Sequence, residues 1–346
     1  MREFIKANRD RFISYLSKAD NIVLVGHLNP DGDCIGSLTA MKHYITHRFK
    51  DKRVTMVVPS PYPSFLNFLD PHKEVVVHRE KPSLCKDLIM GCDLLICMDF
   101  GKASRAEGME EYIKTTCAPK ILIDHHLEYD NFAQLKFSFS KISSASELTY
   151  WLLMECEDNR QLPMEVLTSL ATGVITDTNN FSNSLFPSTF LMASQIVDSG
   201  LNLSMIQERV LNSYSKERMR LMGEMLLNKM ELFHNSHVSL MILDIETQKK
   251  FNYQSGDSEG FVNLPLKIAD VKISALFTQQ EDFLRVSLRS QGDISVNDLS
   301  KQFFNGGGHK NAAGGRIFVN IEQVAQYYKD SVETFIKENN ILFEDD

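Results

Sequence analysis

Residues 22–33 read IVLVGHLNPDGD, and this stretch decides the fold class. Ile22, Val23, Leu24 and Val25 form an uncharged, branched run of the kind that fills a strand buried on both faces. The run ends at Gly26, and His27, Asp31 and Asp33 follow at once on a turn set by Pro30 and Gly32. An open α/β sheet binds ligands outside the carboxyl ends of its strands, which is where these three side chains fall. Taken alone, the Asp-Gly-Asp segment also suits a turn in which one Asp caps the next helix. The segment by itself supports both readings.

Working outward, short apolar runs alternate with helical spacing. Residues 53–58, 74–77, 93–98 and 120–123 have strand composition, while residues 34–49, the region near 83–90 and residues 145–156 have helical periodicity. That alternation marks a parallel sheet with crossover helices. Ser144 with Glu147 three residues on reads as a capping box. Pro163 suits the first turn of a further helix running toward Asp177. The pattern then changes: Met219, Met222, Leu226, Met230 and Phe233 recur at spacings of three and four and predict an amphipathic connecting helix. From His237 the order is strand, irregular segment, strand pair, helix, glycine-rich loop, strand, helix. Leu284, Val286 and Leu288 alternate with Arg285, Ser287 and Arg289, so one face of that strand is apolar and the other polar. Glu344, Asp345 and Asp346 read as a solvated tail.

The whole chain fits this layout. Its 346 residues allow two domains with proper cores, and 43% apolar and 24% charged residues are ordinary for a globular protein. No stretch approaches the roughly 20 apolar residues that span a bilayer. The opening MREFIKANRDRFISYL spaces apolar residues among charges like an amphipathic helix, not a signal peptide. Six scattered cysteines without a Cys-x-x-Cys pair argue for free thiols in a reducing compartment, so a soluble, cytoplasmic protein without membrane attachment is expected. A net charge of −8, from 45 acidic and 37 basic residues, argues against long duplex nucleic acid as partner. A short anionic substrate drawn in by bound metal cations suits it better.

Three further segments complete a constellation. Asp99 ends the apolar run 94–98, where a carboxylate is poorly solvated unless a positive group pairs with it. Asp124, His125 and His126 follow the run 121–123, and adjacent histidines at a strand end point to different sides. Asp177 lies near the end of a largely apolar helix, where local backbone groups alone could satisfy it. Each is explicable singly; together they are hard to explain as independent caps. Carboxylate and imidazole ligands without thiolate point to Mn²⁺ or Mg²⁺, with imidazole favouring Mn²⁺. Six or more ligands exceed the needs of one ion, and a pair about 3.5–4 Å apart uses them naturally.

These segments resemble the signature motifs of the DHH phosphoesterase superfamily: HLNPDGD (27–33), MDF with Asp99, DHH (124–126) and GVITDTNNF (173–181). GGGHKNAAGG (306–315) resembles the loop of the DHH-associated domain. The likeness runs from about residue 20 to residue 320 with motif order kept. It implies an α/β fold: an N-terminal parallel-sheet catalytic domain (1–212), a connecting helix (213–235) and a smaller α/β substrate-binding domain (236–346), with the active site in the cleft between them.

The resemblance also implies roles. His27, Asp31 and Asp99 are expected to hold one metal; Asp33, Asp99, His125 and Asp177 the other, with Asp99 as the bridge. His126 is expected to face the scissile phosphate, and Asp124 to orient a neighbouring histidine. Gly306, Gly307, Gly308 and His309 are expected to bind the far end of the substrate, their backbone N–H groups free to cradle an anion. Arg289 suits either a bidentate phosphate contact or a surface charge pair. Arg105 matches a Ser-Arg pair of relatives, although 100–103 departs from their usual small polar residues. His43 and His47 are four apart on a helix, but Tyr44 stands where a zinc-protease motif needs glutamate, so both read as helix-surface residues. His72, His78, His234 and His237 have no matching partners.

The implied chemistry is in-line hydrolysis at phosphorus by a hydroxide bridging two ions. The compact layout is most similar to nanoRNases, which cut very short RNAs to mononucleotides and convert 3′-phosphoadenosine 5′-phosphate to AMP. Breakdown of cyclic or linear dinucleotides, polyphosphate hydrolysis, and a nucleotide-binding module without catalysis are the alternatives. Assembly is left open, a homodimer included.

Overall fold

The computed structural model describes residues 1–343 except 159, 213 and 255; the acidic tail 344–346 lies outside the described residues. The chain divides into two compact units, Met1–Ser213 and Tyr214–Asp346. In the first, α1 (Arg2–Lys18), β1 (Asn21–Val25), α2 (Gly32–Arg48), β2 (Arg53–Val58), β3 (Val76–Val77), α3 (Pro82–Met90), β4 (Leu94–Met98), α4 (Glu110–Thr115), β5 (Lys120–Asp124) and β6 (Leu135–Ser138) lead into four helices. These are α5 (Ala145–Cys156), α6 (Met164–Asp177), α7 (Pro187–Asp198) and α8 (Leu203–Leu211).

The strands form one sheet in the order β3-β2-β1-β4-β5-β6, and every neighbouring pair is parallel. Ile22 and Leu24 pack into one core with Phe12, Leu38 and Leu148. Val23 and Val25 pack into a second with Cys85, Ile89 and Ile113. A strand covered on both faces must be apolar throughout, which is why β1, β4 and β5 show no alternation. The chain winds outward from β1 to β3, then returns to lay β4 on the other side of β1. That reversal places the topological switch point between β1 and β4, where an open sheet parts to admit a ligand.

The second unit contains α9 (Lys216–Asn228), β7 (Met230–Phe233), β8 (Val238–Leu243), α10 (Ile245–Lys250), β9 (Ile273–Gln279), β10 (Leu284–Ser290), α11 (Val296–Phe303), β11 (Gly307–His309), β12 (Ala312–Ile317) and α12 (Val324–Glu338). Its sheet runs β11-β12-β10-β9-β8-β7, antiparallel except for the β8–β9 pair. Leu284, Val286 and Leu288 face a core with Leu299 and Tyr328, as the alternation predicts.

Three expectations need correction. The connecting helix stops at Asn228, because Met230–Phe233 pairs with β8 and its backbone groups are satisfied in the sheet. Its buried face carries Leu221 and Met225, whereas Met219 is 53% exposed. The helix packs on the second sheet through these residues, with Met241 and Leu276. The capping box is half-formed: Ser144 accepts from Glu147 N–H, but the Glu147 carboxylate turns inward to Ser143, Trp151 and Thr189. β6, α7 and α8 were not anticipated.

Candidate metal centre

The site sits at the carboxyl edge of the first sheet. His27 follows β1, Asp99 follows β4, and Asp124, His125 and His126 end or follow β5. Asp99 has φ +63°, a left-handed conformation that Asp tolerates better than most residues. The turn stops β4 and carries the carboxylate over the switch point.

Two imidazoles tie the cluster together. His27 Nε2 lies 3.2 Å from Asp99 Oδ2 and 3.9 Å from Asp31 Oδ1. His125 Nε2 lies 3.4 Å from Asp99 Oδ1, 3.8 Å from Asp33 Oδ2 and 3.7 Å from Asp177 Oδ2. The structure therefore brings all six expected ligands into one locus, with Asp99 in contact with both histidines. Asp31 also caps α2 by accepting from Asp33 and Cys34 N–H, so the two readings of the Asp-Gly-Asp turn coexist.

Charge within the cluster is unbalanced. Burial, reinforced by the charges of Asp99 and Asp177, pushes Asp33 well above the ordinary carboxylate range. Burial opposes ionisation of Asp99 too, but the His125 and His27 imidazoles hold it well below that range. Burial alone would lower His125; Asp99, Asp177 and Asp33 override it and push it up to about 10. Carboxylates that force protons onto buried imidazoles create strong demand for positive charge at their centre. Asp99 Oδ1 is buried without a hydrogen-bonding donor. Asp33, His125 and Asp177 each offer an atom within 4.8 Å of the others, as do His27, Cys34 and Asp99. Burial raises the Cys34 thiol well above its usual value and keeps it protonated, which leaves oxygen and nitrogen as donors. The residues fit hard or borderline divalent cations.

Two supports for this cluster escaped the sequence reading. Asp33 accepts from the first two amides of α5, Ala145 N–H at 2.7 Å and Ser146 N–H at 2.8 Å, so a helix N-terminus holds the carboxylate. Gly173 permits α6 to approach: a Cβ there would meet Ser146 Oγ at 1.9 Å and Asp33 Oδ1 at 2.8 Å. The signal for the second was the glycine in 173–177; for the first, proximity of residues 33 and 145 has no local trace.

Beside the cluster runs a chain of three side chains. Asp124 is fully buried, and its Oδ1 lies 2.7 Å from His126 Nδ1. Arg105 Nη1 lies 2.6 Å from His126 Nε2. A guanidinium only donates and a carboxylate accepts, so Nδ1 carries the proton and Nε2 offers its lone pair. Burial lowers the His126 pKa and Arg105 lowers it further, against the pull of Asp124, which keeps the ring neutral. Arg105 is also anchored by its backbone, its carbonyl accepting from Leu28 N–H.

The remaining expected site residues lie in the second unit. Arg289 is on β10, where its Nη1 donates to Leu288 O. Gly307–His309 forms β11 rather than an open loop. Gly306 N–H donates to Ser300 O and Gly308 N–H to Asn297 Oδ1, so these two amides are engaged and the expectation of a free anion cradle fails for them. The glycines serve close strand approach instead: a Cβ on Gly306 would meet Gly314 O at 1.9 Å. His43 and His47 lie on α2, and His237 is held by Asp270 O. All six cysteines are free, and no helix among the described residues is long and apolar enough to cross a membrane.

Known proteins are similar to this chain in sequence and fold. The bifunctional oligoribonuclease and PAP phosphatase NrnA of Mycoplasma genitalium is 27% identical over 94% of this chain and 96% of its own. An exopolyphosphatase-related protein from Bacteroides fragilis superposes with TM-score 0.86 at 35% identity, covering 95% of this chain and 96% of that one. RecJ of Thermus thermophilus, solved in complex with Mn²⁺, has TM-score 0.56 at 13% identity, covering 97% of this chain and 55% of that one, a likeness of fold alone. Residues 21–174 match the DHH family, N-terminal domain, and residues 237–338 match the DHHA1 domain. This chain belongs to the DHH family.

Proposed function

We propose that this protein is a divalent-metal-dependent phosphoesterase that hydrolyses short oligoribonucleotides to mononucleotides and 3′-phosphoadenosine 5′-phosphate to AMP. The observation that carries the reading is the group of four carboxylates and two imidazoles at the switch point, with His27, Asp33, Asp99 and His125 buried and Asp31 and Asp177 partly exposed. The name of the Mycoplasma genitalium relative supports the substrate class. His27, Asp31 and Asp99 would hold one Mn²⁺, and Asp33, Asp99, His125 and Asp177 the second. When bound, such ions supply Lewis acidity: they acidify water and neutralise charge on the phosphoryl group.

The chain's own residues do the rest. His126, neutral at rest, takes a proton at Nε2 from the attacking water; as the P–O bond breaks, the departing oxygen on the opposite side takes a proton from solvent water, and the imidazolium then returns its proton to solvent. Asp124 keeps Nδ1 protonated and balances the imidazolium formed in between. For Nε2 to act, Arg105 must move its donor from the ring to a phosphate oxygen, so substrate binding and exposure of the base coincide. Arg289 and the 306–309 segment bind the remainder of the nucleotide.

The test is a substrate panel with Mn²⁺: 5′-phosphorylated dinucleotide, 3′-phosphoadenosine 5′-phosphate, cyclic dinucleotide and polyphosphate. Release of mononucleotide from the first and AMP from the second is expected. Turnover of polyphosphate alone would assign the chain the activity named for the Bacteroides fragilis relative, and inactivity on all four with metal bound would leave a binding module.

A further inference from the structure

His27 is aimed by its own neighbour. Its Nδ1 lies 2.8 Å from the Leu28 carbonyl oxygen. A carbonyl only accepts, so Nδ1 carries a proton and Nε2 is the nitrogen turned toward Asp99 and Asp31. The hold on His27 is therefore as firm as the Leu28–Asn29 peptide. The C=O and N–H of a trans peptide point opposite ways. Here the carbonyl meets His27, and the Asn29 N–H on the other side donates to Ser60 Oγ at 2.8 Å.

This peptide has an easier alternative. Asn29 has φ +53°, in the left-handed region that residues with side chains enter seldom, Asn more readily than most. Rotating the 28–29 peptide would return Asn29 to negative φ and carry the Leu28 carbonyl away from His27. The preceding peptide is pinned, because Leu28 N–H donates to Arg105 O at 2.8 Å. Ser60 is built to resist the rotation. It is 2% exposed and lies just past the end of β2, between Pro59 and Pro61, whose rings fix φ and stiffen the loop that presents the hydroxyl. The Asn29 side chain adds little, since its Oδ1 lies 3.4 Å from Ser60 Oγ.

We infer that Ser60 is a positioning residue for the metal centre. By holding the Leu28–Asn29 peptide in its left-handed turn, it keeps Leu28 O on His27 Nδ1 and aims Nε2 at the ion that His27, Asp31 and Asp99 would hold. Partners that fix the far nitrogen of a ligating histidine set its tautomer, orientation and basicity, and their loss weakens metal binding about 10–100-fold. The inference rests on the proposed function, since it requires His27 to be a ligand. It brings β2, a strand that supplies none of the six ligands, into the construction of the site.

The experiment compares the full chain as wild type, Ser60→Ala, Ser60→Thr and the double variant Ser60→Ala with Asn29→Gly. Calorimetric titration of metal-free protein with Mn²⁺ reads the two sites, and isotope-edited histidine NMR of the metal-free protein reads solvent exchange of the His27 Nδ1 proton. Ser60→Ala should weaken one Mn²⁺ site about tenfold, affect the other far less, and turn slow exchange of the Nδ1 proton into fast exchange. Ser60→Thr keeps the hydroxyl and should restore both readouts. Glycine takes positive φ without steric cost, so Asn29→Gly in the Ser60→Ala background should recover part of the lost affinity, which relief of a packing defect at residue 60 would not do. Equal weakening of both sites, or slow Nδ1 exchange with unchanged affinity in Ser60→Ala, would overturn the positioning role. Failure of the proposed function shows in the wild type instead: no uptake of Mn²⁺ would end the metal reading, and this inference with it, whatever Ser60→Ala does.

Discussion

Asp99 shows how much one residue can concentrate. It ends a buried strand, adopts a left-handed backbone and touches His27 and His125 through opposite oxygens. Asp99→Asn should abolish hydrolysis and weaken Mn²⁺ binding, measured by calorimetry; retained turnover would remove its bridging role. Asp124→Asn tests a different part. It preserves volume but replaces the carboxylate, which accepts from His126 through both oxygens, with a neutral amide that has one acceptor and one donor, so the His126 tautomer is no longer fixed and kcat should fall about 10–100-fold with little change in Mn²⁺ affinity. Equal loss of metal would place Asp124 among the ligands. Arg105 illustrates what residue-by-residue reading missed: its contact with His126 joins positions 21 apart and has no signature in either segment.

At the scale of elements, the centre depends on how closely helices meet. α6 reaches Asp33 and Ser146 only because Gly173 has no side chain. Gly173→Ala should cost about 1–3 kcal/mol of stability by overpacking, read as a lower urea midpoint, and should also weaken Mn²⁺ binding because Asp33 must shift. Lost stability with unchanged metal affinity would break that link. Glu147 is the second case. As a capping-box residue its removal would cost about 1 kcal/mol. Buried and accepting from Ser143, Trp151 and Thr189, it anchors the start of α7 to α5. Glu147→Leu should therefore cost about 3 kcal/mol or more, since several buried donors lose their acceptor. The capping spacing was legible in sequence; the destination of the carboxylate was not, because Thr189 lies 42 residues away.

For the whole molecule, the two units have separate cores and the six proposed metal ligands all belong to the first. Mn²⁺ at 100 times its Kd should stabilise the first unit by about 2.7 kcal/mol and leave the second almost unchanged. Hydrogen exchange resolved by peptide would show this as added protection confined to residues before 213. Protection spread evenly over both units would mean that they unfold as one.

The alternation of apolar runs and helical spacing was enough to determine a parallel sheet, and polar residues ending those runs were enough to nominate His27, Asp31, Asp33, Asp99 and one of His125 and His126, whereas the choice of His125 and the role of Asp177 came from resemblance to the DHH motifs. The sheet and the strand-end nominations follow from local rules, because a doubly covered strand must be apolar and a polar group at its end needs a partner. Strand order, the hold of α5 on Asp33, the Asp124–His126–Arg105 chain and the closure of the glycine-rich segment into β11 were decided only by tertiary structure. Each depends on groups distant in sequence satisfying one another's hydrogen bonds or sharing space that a side chain would fill, and no local pattern records such a pairing.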